Sequence, residues 1–303
     1  MALRLRRSEL SIPGSNPKMI EKGLASAADL VFIDLEDAVA PAQKEASRGN
    51  VIAALNQLDW GRKLRGVRVN DAGTRWAHDD VIEVVEGAGA KLDIIIVPKV
   101  KAPRDLWFFD TLLTQLESKL GLKHRIGLEA LIEETAALAH VEEIAACCPR
   151  LEAIILGFGD LSASQGVRAA LGDEDAAYRY PADPWHFARA RMIVAARAAG
   201  IDAIDGPFAN YRDPEGYRRE AVWAATLGAV GKWAIHPSQI EPANEVFAPT
   251  AKEIDLARRM CAAYAAAEQA GDGAAGAGGV LIDAATVRIF EGVLERARLA
   301  GRA

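Results

Sequence analysis

Short apolar runs alternate with longer amphipathic ones along most of the chain. The runs at 9–12, 30–34, 66–70, 92–98, 125–131, 152–158, 201–205 and 230–235 read as strands. Each leads into about ten to eighteen residues of helical sequence with 3.6-residue periodicity, as at 41–58, 104–120, 133–147, 184–199 and 214–227. Pro17, Pro41, Pro103, Pro184 and Pro237 suit the first turn of a helix, where a missing N–H costs little. The runs 94–97 and 153–156 are apolar at every position, as parallel strands covered on both faces must be. Eight such βα units over about 240 residues predict an α/β protein of the (β/α)8 TIM barrel type. A dinucleotide-binding sheet would need G-x-G-x-x-G after the first strand. Gly157-Phe158-Gly159 lacks the third glycine and follows the sixth.

The alternation stops after Pro249, which places the barrel domain at 1–249 and a helical segment at 250–303. A helix is predicted over 251–270, then a Gly/Ala-rich flexible linker at 271–279, then a last helix over 284–299. Val287, Ile289, Phe290, Val293 and Leu294 give that last helix an apolar face, which must dock on its own barrel or on a neighbour's.

Composition narrows the partners. The chain has 303 residues, 50% hydrophobic and 26% charged, with net charge −6. No block of Lys and Arg offers a nucleic-acid face, so no nucleic-acid partner is expected. No apolar run reaches the roughly 18 residues of a membrane span, and the basic N-terminus lacks the apolar stretch of a signal peptide. Cys147, Cys148 and Cys261 include an adjacent pair unsuited to a disulfide, which fits a reducing cytoplasm. The five histidines are scattered, so a His/Cys metal site is not expected.

Barrel chemistry lies at the carboxyl ends of the strands. Those ends carry Asp34, Glu36 and Asp37, then Arg68 and Asn70, Pro98-Lys99, Glu129, Asp160, Asp205 and His236. Carboxylates converging on one rim call for a cation, and oxygen-only ligands suit Mg²⁺. Each residue also has a structural alternative. Glu36 and Asp37 could cap the helix starting near Pro41, Asp160 could cap the helix after it, and Lys99 could pair with an acid. Glu129 sits in an otherwise uncharged strand, where an unpaired carboxylate is costly, and this favours a metal ligand there. Glu133 and Glu134 read as first-turn acids of the next helix, and His236 as a structural hydrogen-bonding group. There is no G-x-S-x-G elbow, P-loop or Ser/His/Asp set.

Several segments together resemble a known family. Pro13-Gly14-Ser15-Asn16-Pro17, Ile33-Asp34-Leu35-Glu36-Asp37-Ala38-Val39 and Pro98-Lys99-Val100 are similar to the citrate lyase β-subunit/HpcH–HpaI aldolase superfamily. Asp205-Gly206-Pro207-Phe208, Gly231-Lys232-Trp233-Ala234-Ile235-His236-Pro237 and Ala243-Asn244-Glu245-Val246-Phe247 look like its malyl-CoA lyase branch. The resemblance implies a Mg²⁺-dependent lyase (Mn²⁺ as a possible substitute) cleaving a malyl-CoA-type thioester to acetyl-CoA or propionyl-CoA and glyoxylate. The CoA thioester would be substrate rather than cofactor. The resemblance also assigns Glu129 and Asp160 to the metal and Arg68 to the thioester oxygen. Asp283 would be acid/base, carried by a C-terminal lid swapped onto a neighbouring protomer of a homotrimer or homohexamer. Ser15, Asn16, Glu36, Asp37, Lys99 and Pro237 would contact substrate or CoA. Some malyl-CoA lyases have Arg where this chain has Asn16, and 161–182 is compact in the citrate lyase β style. Three rivals stand beside this reading: a malyl-CoA thioesterase or malate synthase, a citrate lyase β-like citryl-thioester lyase, and a catalytically silent subunit.

Overall fold

A computed structural model describes residues 4–167, 183–277 and 280–302. Most of the compact stretch 161–182 and two glycines of the 271–279 linker therefore lie outside the described residues. Arg6–Asn244 form one compact unit; 245–302, with Arg4 and Leu5, form a second. The division falls five residues before the predicted boundary at 249.

In the first unit, eight parallel strands close into a barrel in sequence order. They are β1 (Ser8–Pro13), β2 (Leu30–Asp34), β3 (Leu64–Arg68), β4 (Ile94–Val97), β5 (Gly127–Ile132), β6 (Leu151–Leu156), β7 (Asp202–Asp205) and β8 (Gly231–Ala234). Closure comes from β1 pairing with β8, Glu9 opposite Trp233 and Leu10 opposite Ala234. Every residue of β4 is buried, which explains its unbroken Ile-Ile-Ile-Val sequence. Leu30, Phe32, Ile94, Ile96, Leu131, Ile155, Ile204 and Trp233 form a continuous core, with Phe32 edge-on to Trp233 at 4.9 Å.

The covering helices are α1 (Pro17–Leu24), α2 (Lys44–Gln57), α3 (Ala77–Ala88), α4 (Pro103–Leu120), α5 (Thr135–Ala139), α6 (Val141–Ala145), α7 (Phe158–Gln165), α8 (His186–Ala199), α9 (Pro214–Leu227) and α10 (Ile240–Val246). Pro17, Pro103 and Pro214 begin α1, α4 and α9, as their fixed φ allows. The helix predicted over 133–147 is instead two short ones broken at His140. The third strand ends at Arg68 rather than Asn70.

The second unit contains α11 (Ala251–Ala270), the antiparallel pair β9 (Ala274–Ala277) and β10 (Val280–Asp283), and α12 (Ala284–Leu299). Within the predicted linker, Ala274–Ala277 is thus a strand: small side chains leave its backbone free to pair with the apolar run that follows. Met260, Ile282 and Val287 form this unit's own core.

Candidate active site at the carboxyl rim of the barrel

Arg68, the last residue of β3, points inward and is held by its neighbour in register, Asp34, the last residue of β2. Its Nε donates to Asp34 Oδ1 at 2.7 Å and its terminal nitrogen to Oδ2 at 2.6 Å. The other terminal nitrogen lies 3.0 Å from Glu36. Beneath it, the Trp233 ring centre is 5.2 Å from the guanidinium carbon. Burial opposes the charge on Arg68, but Asp34, Glu36 and Glu133 outweigh it and raise its pKa. Asp34 also accepts from the Glu36 and Ala38 N–H groups, so one carboxylate fixes both the arginine and the following turn. That turn rests on buried Lys44, which donates to the carbonyls of Leu35 and Glu36 and to Asn70.

Lys99 enters the rim from beyond β4 with φ 50°, the left-handed region that residues other than glycine rarely adopt. Such strain costs about 1–3 kcal/mol and persists where the surroundings over-determine it. Here the ammonium bonds Glu36 and Asp37, while the Lys99 N–H donates to Glu133 Oε1 at 2.7 Å. Burial pushes the Glu36 carboxyl upward, and Arg68 and Lys99 only partly offset this. Asp37, more exposed, also feels burial, but its bonds to Lys99 prevail and lower its pKa. The capping role considered for these two acids is not realised: the helical turn at Pro41–Gln43 has no side-chain cap.

Glu133 follows β5 directly and is buried. Burial pushes its carboxyl up to about 8; the Lys99 N–H and Arg68 oppose this, and the charges of Asp160 and Glu36 add to it. Asp160 lies in the first turn of α7, whose N-cap is Gly157. Any Cβ at Gly157 would stand 2.5 Å from the Glu133 Cβ and 2.7 Å from its Oε2, so only glycine lets this carboxylate lie against the α7 entrance. The result is a desolvated glutamate sharing the rim with an aspartate and an arginine.

The expectation that Glu129 joins Asp160 is corrected by the structure. Glu129 sits four residues before Glu133, about 13 Å lower along the strand. It is buried and ion-paired with Arg6, a residue preceding β1, and faces Glu9. Its partner Arg6 thus draws it toward the residues that precede β1 rather than toward the rim. The residue that reaches the rim is Glu133, which sequence reading assigned to a helix. β5 runs to Ile132, so 129, 131 and 133 share one face, and 133 falls just past the strand end where barrel chemistry is found.

Other candidates divide. Asn16 caps α1 by accepting from the Met19 N–H at 3.1 Å, and Ser15 lies half-buried beside it at the end of β1. Pro237 starts a short 3-10 turn; His236 before it bonds Ser238, the structural role expected. Asp283, in the second unit, caps α12 by accepting from the Ala285 and Thr286 N–H groups at 3.0 and 2.8 Å. Those bonds to Thr286 and Ala285 lower its pKa, whereas the acid/base role implied a raised one. Among the described residues, no three His, Cys, Asp or Glu side chains gather as a metal cage.

Residues 7–237 match the HpcH/HpaI aldolase/citrate lyase family. The chain belongs to that family. It is 43% identical over 304 residues to an L-malyl-CoA/β-methylmalyl-CoA lyase of Cereibacter sphaeroides, covering 98% of this chain and 96% of the relative. It is 35% identical over 277 residues to a (3S)-malyl-CoA thioesterase of the same species, covering 91% of this chain and 89% of the relative. Among solved structures, it matches protein CitE from Mycobacterium tuberculosis in complex with magnesium, acetoacetate and coenzyme A. There the TM-score is 0.74 at 29% identity, covering 97% of this chain and 98% of that one. The family members named here thus include lyases and a thioesterase on thioester substrates, in line with the resemblance drawn from the motifs.

Proposed function

We propose that the protein is a Mg²⁺-dependent carbon–carbon lyase that reversibly cleaves a malyl-CoA-type thioester to acetyl-CoA or propionyl-CoA and glyoxylate. The observation that carries this is the pairing of desolvated Glu133 with Asp160 beside Arg68. An oxygen-only set with two carboxylates suits Mg²⁺, which keeps waters and substrate oxygens as its remaining ligands. Bound by Glu133 and Asp160, the ion supplies Lewis-acid polarisation and a template for the glyoxylate portion. Arg68 then faces the thioester oxygen. A guanidinium has five N–H donors; Asp34 takes two and Glu36 one, which leaves two for an oxyanion. Because Asp34 fixes the plane in advance, little reorganisation is needed as charge develops.

Lys99, Glu36 and Asp37 form the outer wall of the same rim, and with Ser15, Asn16 and Pro237 we assign them to contacts with substrate or CoA. Asp283 is the proposed acid/base, delivered from a neighbouring protomer of a homotrimer or homohexamer. There, contacts across the subunit boundary would replace water and raise its pKa. Among the described residues no helix is long and apolar enough to cross a membrane, and the three free cysteines agree with work in the cytoplasm.

The thioesterase relative supports a second outcome on the same rim, hydrolysis of malyl-CoA to malate and CoA. Purified protein with Mg²⁺ and malyl-CoA, its products resolved by mass, decides between them. Acetyl-CoA and glyoxylate without free thiol support the lyase; malate with stoichiometric CoA supports the hydrolase. Full turnover in excess EDTA would remove the metal from either scheme.

A further inference from the structure

Behind β7 and β8 lies a second buried charge cluster that touches no part of the rim chemistry directly. Lys232 and Asp205 are fully buried, with Nζ to Oδ2 at 2.5 Å. Lys232 also donates to the Gly206 carbonyl at 2.7 Å and to Glu220 at 3.2 Å. Arg189 of α8 donates from Nε to the other Asp205 oxygen at 2.9 Å and pairs with Asp183. Burying three acids and two bases is costly, and a well-packed apolar cluster would stabilise the fold at least as well. A specific placement is the more economical reason for keeping them.

Both cations converge on one ring. The guanidinium carbon of Arg189 lies 5.1 Å, and the ammonium of Lys232 5.4 Å, from the ring centre of Phe158. Trp185 packs on the same ring at 5.7 Å. The neighbouring strand end has been cleared for it: a Cβ at Gly206 would meet the Leu156 carbonyl at 2.0 Å and the Phe158 ring at 2.8 Å. Phe158 is the first residue of α7, and Asp160 stands two residues on in the same turn. Fixing that ring fixes the entry of α7 into the rim, and with it the Asp160 carboxylate relative to Glu133.

We propose that Lys232, Arg189 and Phe158 are positioning residues for the metal carboxylate Asp160, a reading that rests on the Glu133–Asp160 assignment above. The two cations hold the ring by its π face, and Asp205 and Glu220 hold the cations. A leucine at 158 would fill much of the same space but present no such face.

The test is direct Mn²⁺ binding to the full-length protein, followed by electron paramagnetic resonance, alongside thermal melting. Phe158→Leu is expected to weaken Mn²⁺ binding about tenfold through loss of two buried cation–π contacts. Phe158→Tyr, which keeps the face, should restore most of it. Arg189→Lys keeps the charge but loses the planar group, and should give a smaller loss in the same direction, about threefold. A folded Phe158→Leu protein binding Mn²⁺ as tightly as the parent overturns the proposal; if that variant does not fold, Arg189→Lys decides by the same readout. A parent protein that binds no Mn²⁺ defeats the carboxylate-pair assignment itself. A parent that binds, with unaffected variants, defeats only the positioning role.

Discussion

The Lys99 N–H donates to Glu133 Oε1 at 2.7 Å, while the same residue's ammonium reaches back to Glu36 and Asp37. One residue thus ties the ends of β2, β4 and β5 together across the barrel mouth. The left-handed backbone at Lys99 makes both contacts possible at once, since it turns the amide toward Glu133 and the side chain toward the opposite wall. Three strand ends then act as a single rim, with Arg68 at the end of β3 between them.

Glu133→Gln should abolish tight Mg²⁺ binding and most turnover with little change in stability, because it removes a charged ligand from a site of two carboxylates. Glu129→Gln should do the reverse. It leaves Arg6 facing fewer charges in a buried setting, and about 3–5 kcal/mol of stability is at risk. Calorimetric Mg²⁺ titration and urea unfolding of both variants separate the two roles. Swapped phenotypes would return the metal to Glu129.

Mg²⁺ affinity should depend on pH through Glu133. With its carboxyl at about 8 in the metal-free protein, the ion must displace a proton at lower pH. Affinity is expected to rise about tenfold per unit up to roughly pH 8 and then level off. A flat profile between pH 6 and 8 would contradict a protonated Glu133.

Glu9 presents the opposite end of the barrel with a different titration. It is buried, and neither carboxylate oxygen accepts a hydrogen bond from a donor among the described residues. Burial and the facing Glu129 raise its pKa well above normal, against the pull of Arg6. A carboxyl raised on folding stabilises the fold below its unfolded pKa, and that contribution is lost as pH rises through the folded value. Stability should therefore fall from weakly acidic toward alkaline pH. Glu9→Gln, neutral at every pH, should flatten that slope and raise stability at pH 8, as chemical denaturation across the range would record.

Arg68→Lys should retain the fold but lose roughly 10² or more in turnover, the scale of one oxyanion donor. A point ammonium cannot hold both Asp34 oxygens and Glu36 while presenting two further donors. Near-normal turnover in steady-state kinetics would make Arg68 a structural partner of Asp34 alone.

Asp283→Asn and Arg68→Ala should each be nearly inactive, yet mixed oligomers of the two should recover part of the activity. If Asp283 serves a neighbour's site, some sites in the mixture receive both intact residues. Co-expression with differently tagged chains, purified through both tags, provides the mixture. A dead mixture of confirmed composition would place Asp283 in its own chain's site or outside catalysis.

Much of the barrel was legible in the chain because its determinants are local. A run such as Ile94-Ile95-Ile96-Val97 must be covered on both faces wherever it lies, and Pro17 or Pro103 marks a helix start through its own ring. Helix α11 spans 251–270 and α12 spans 284–299, as their periodicity predicts. Arg68 and Lys99 were also recognisable, as cations at strand ends. Glu129 and Glu133 were not separable in that way. Glu129 lies in β5 and Glu133 just past its end on the same face, and the difference lies in what surrounds each. Arg6, from before β1, meets Glu129; the Lys99 N–H and the bare backbone of Gly157 meet Glu133. Those neighbours come from distant points in the chain and arrive only when the barrel closes. The sequence determines which strands exist and which way their side chains alternate. Closure decides which buried charge is paired with an arginine and which is left desolvated at the rim, because desolvation and Coulomb energy depend on neighbours in space rather than in sequence.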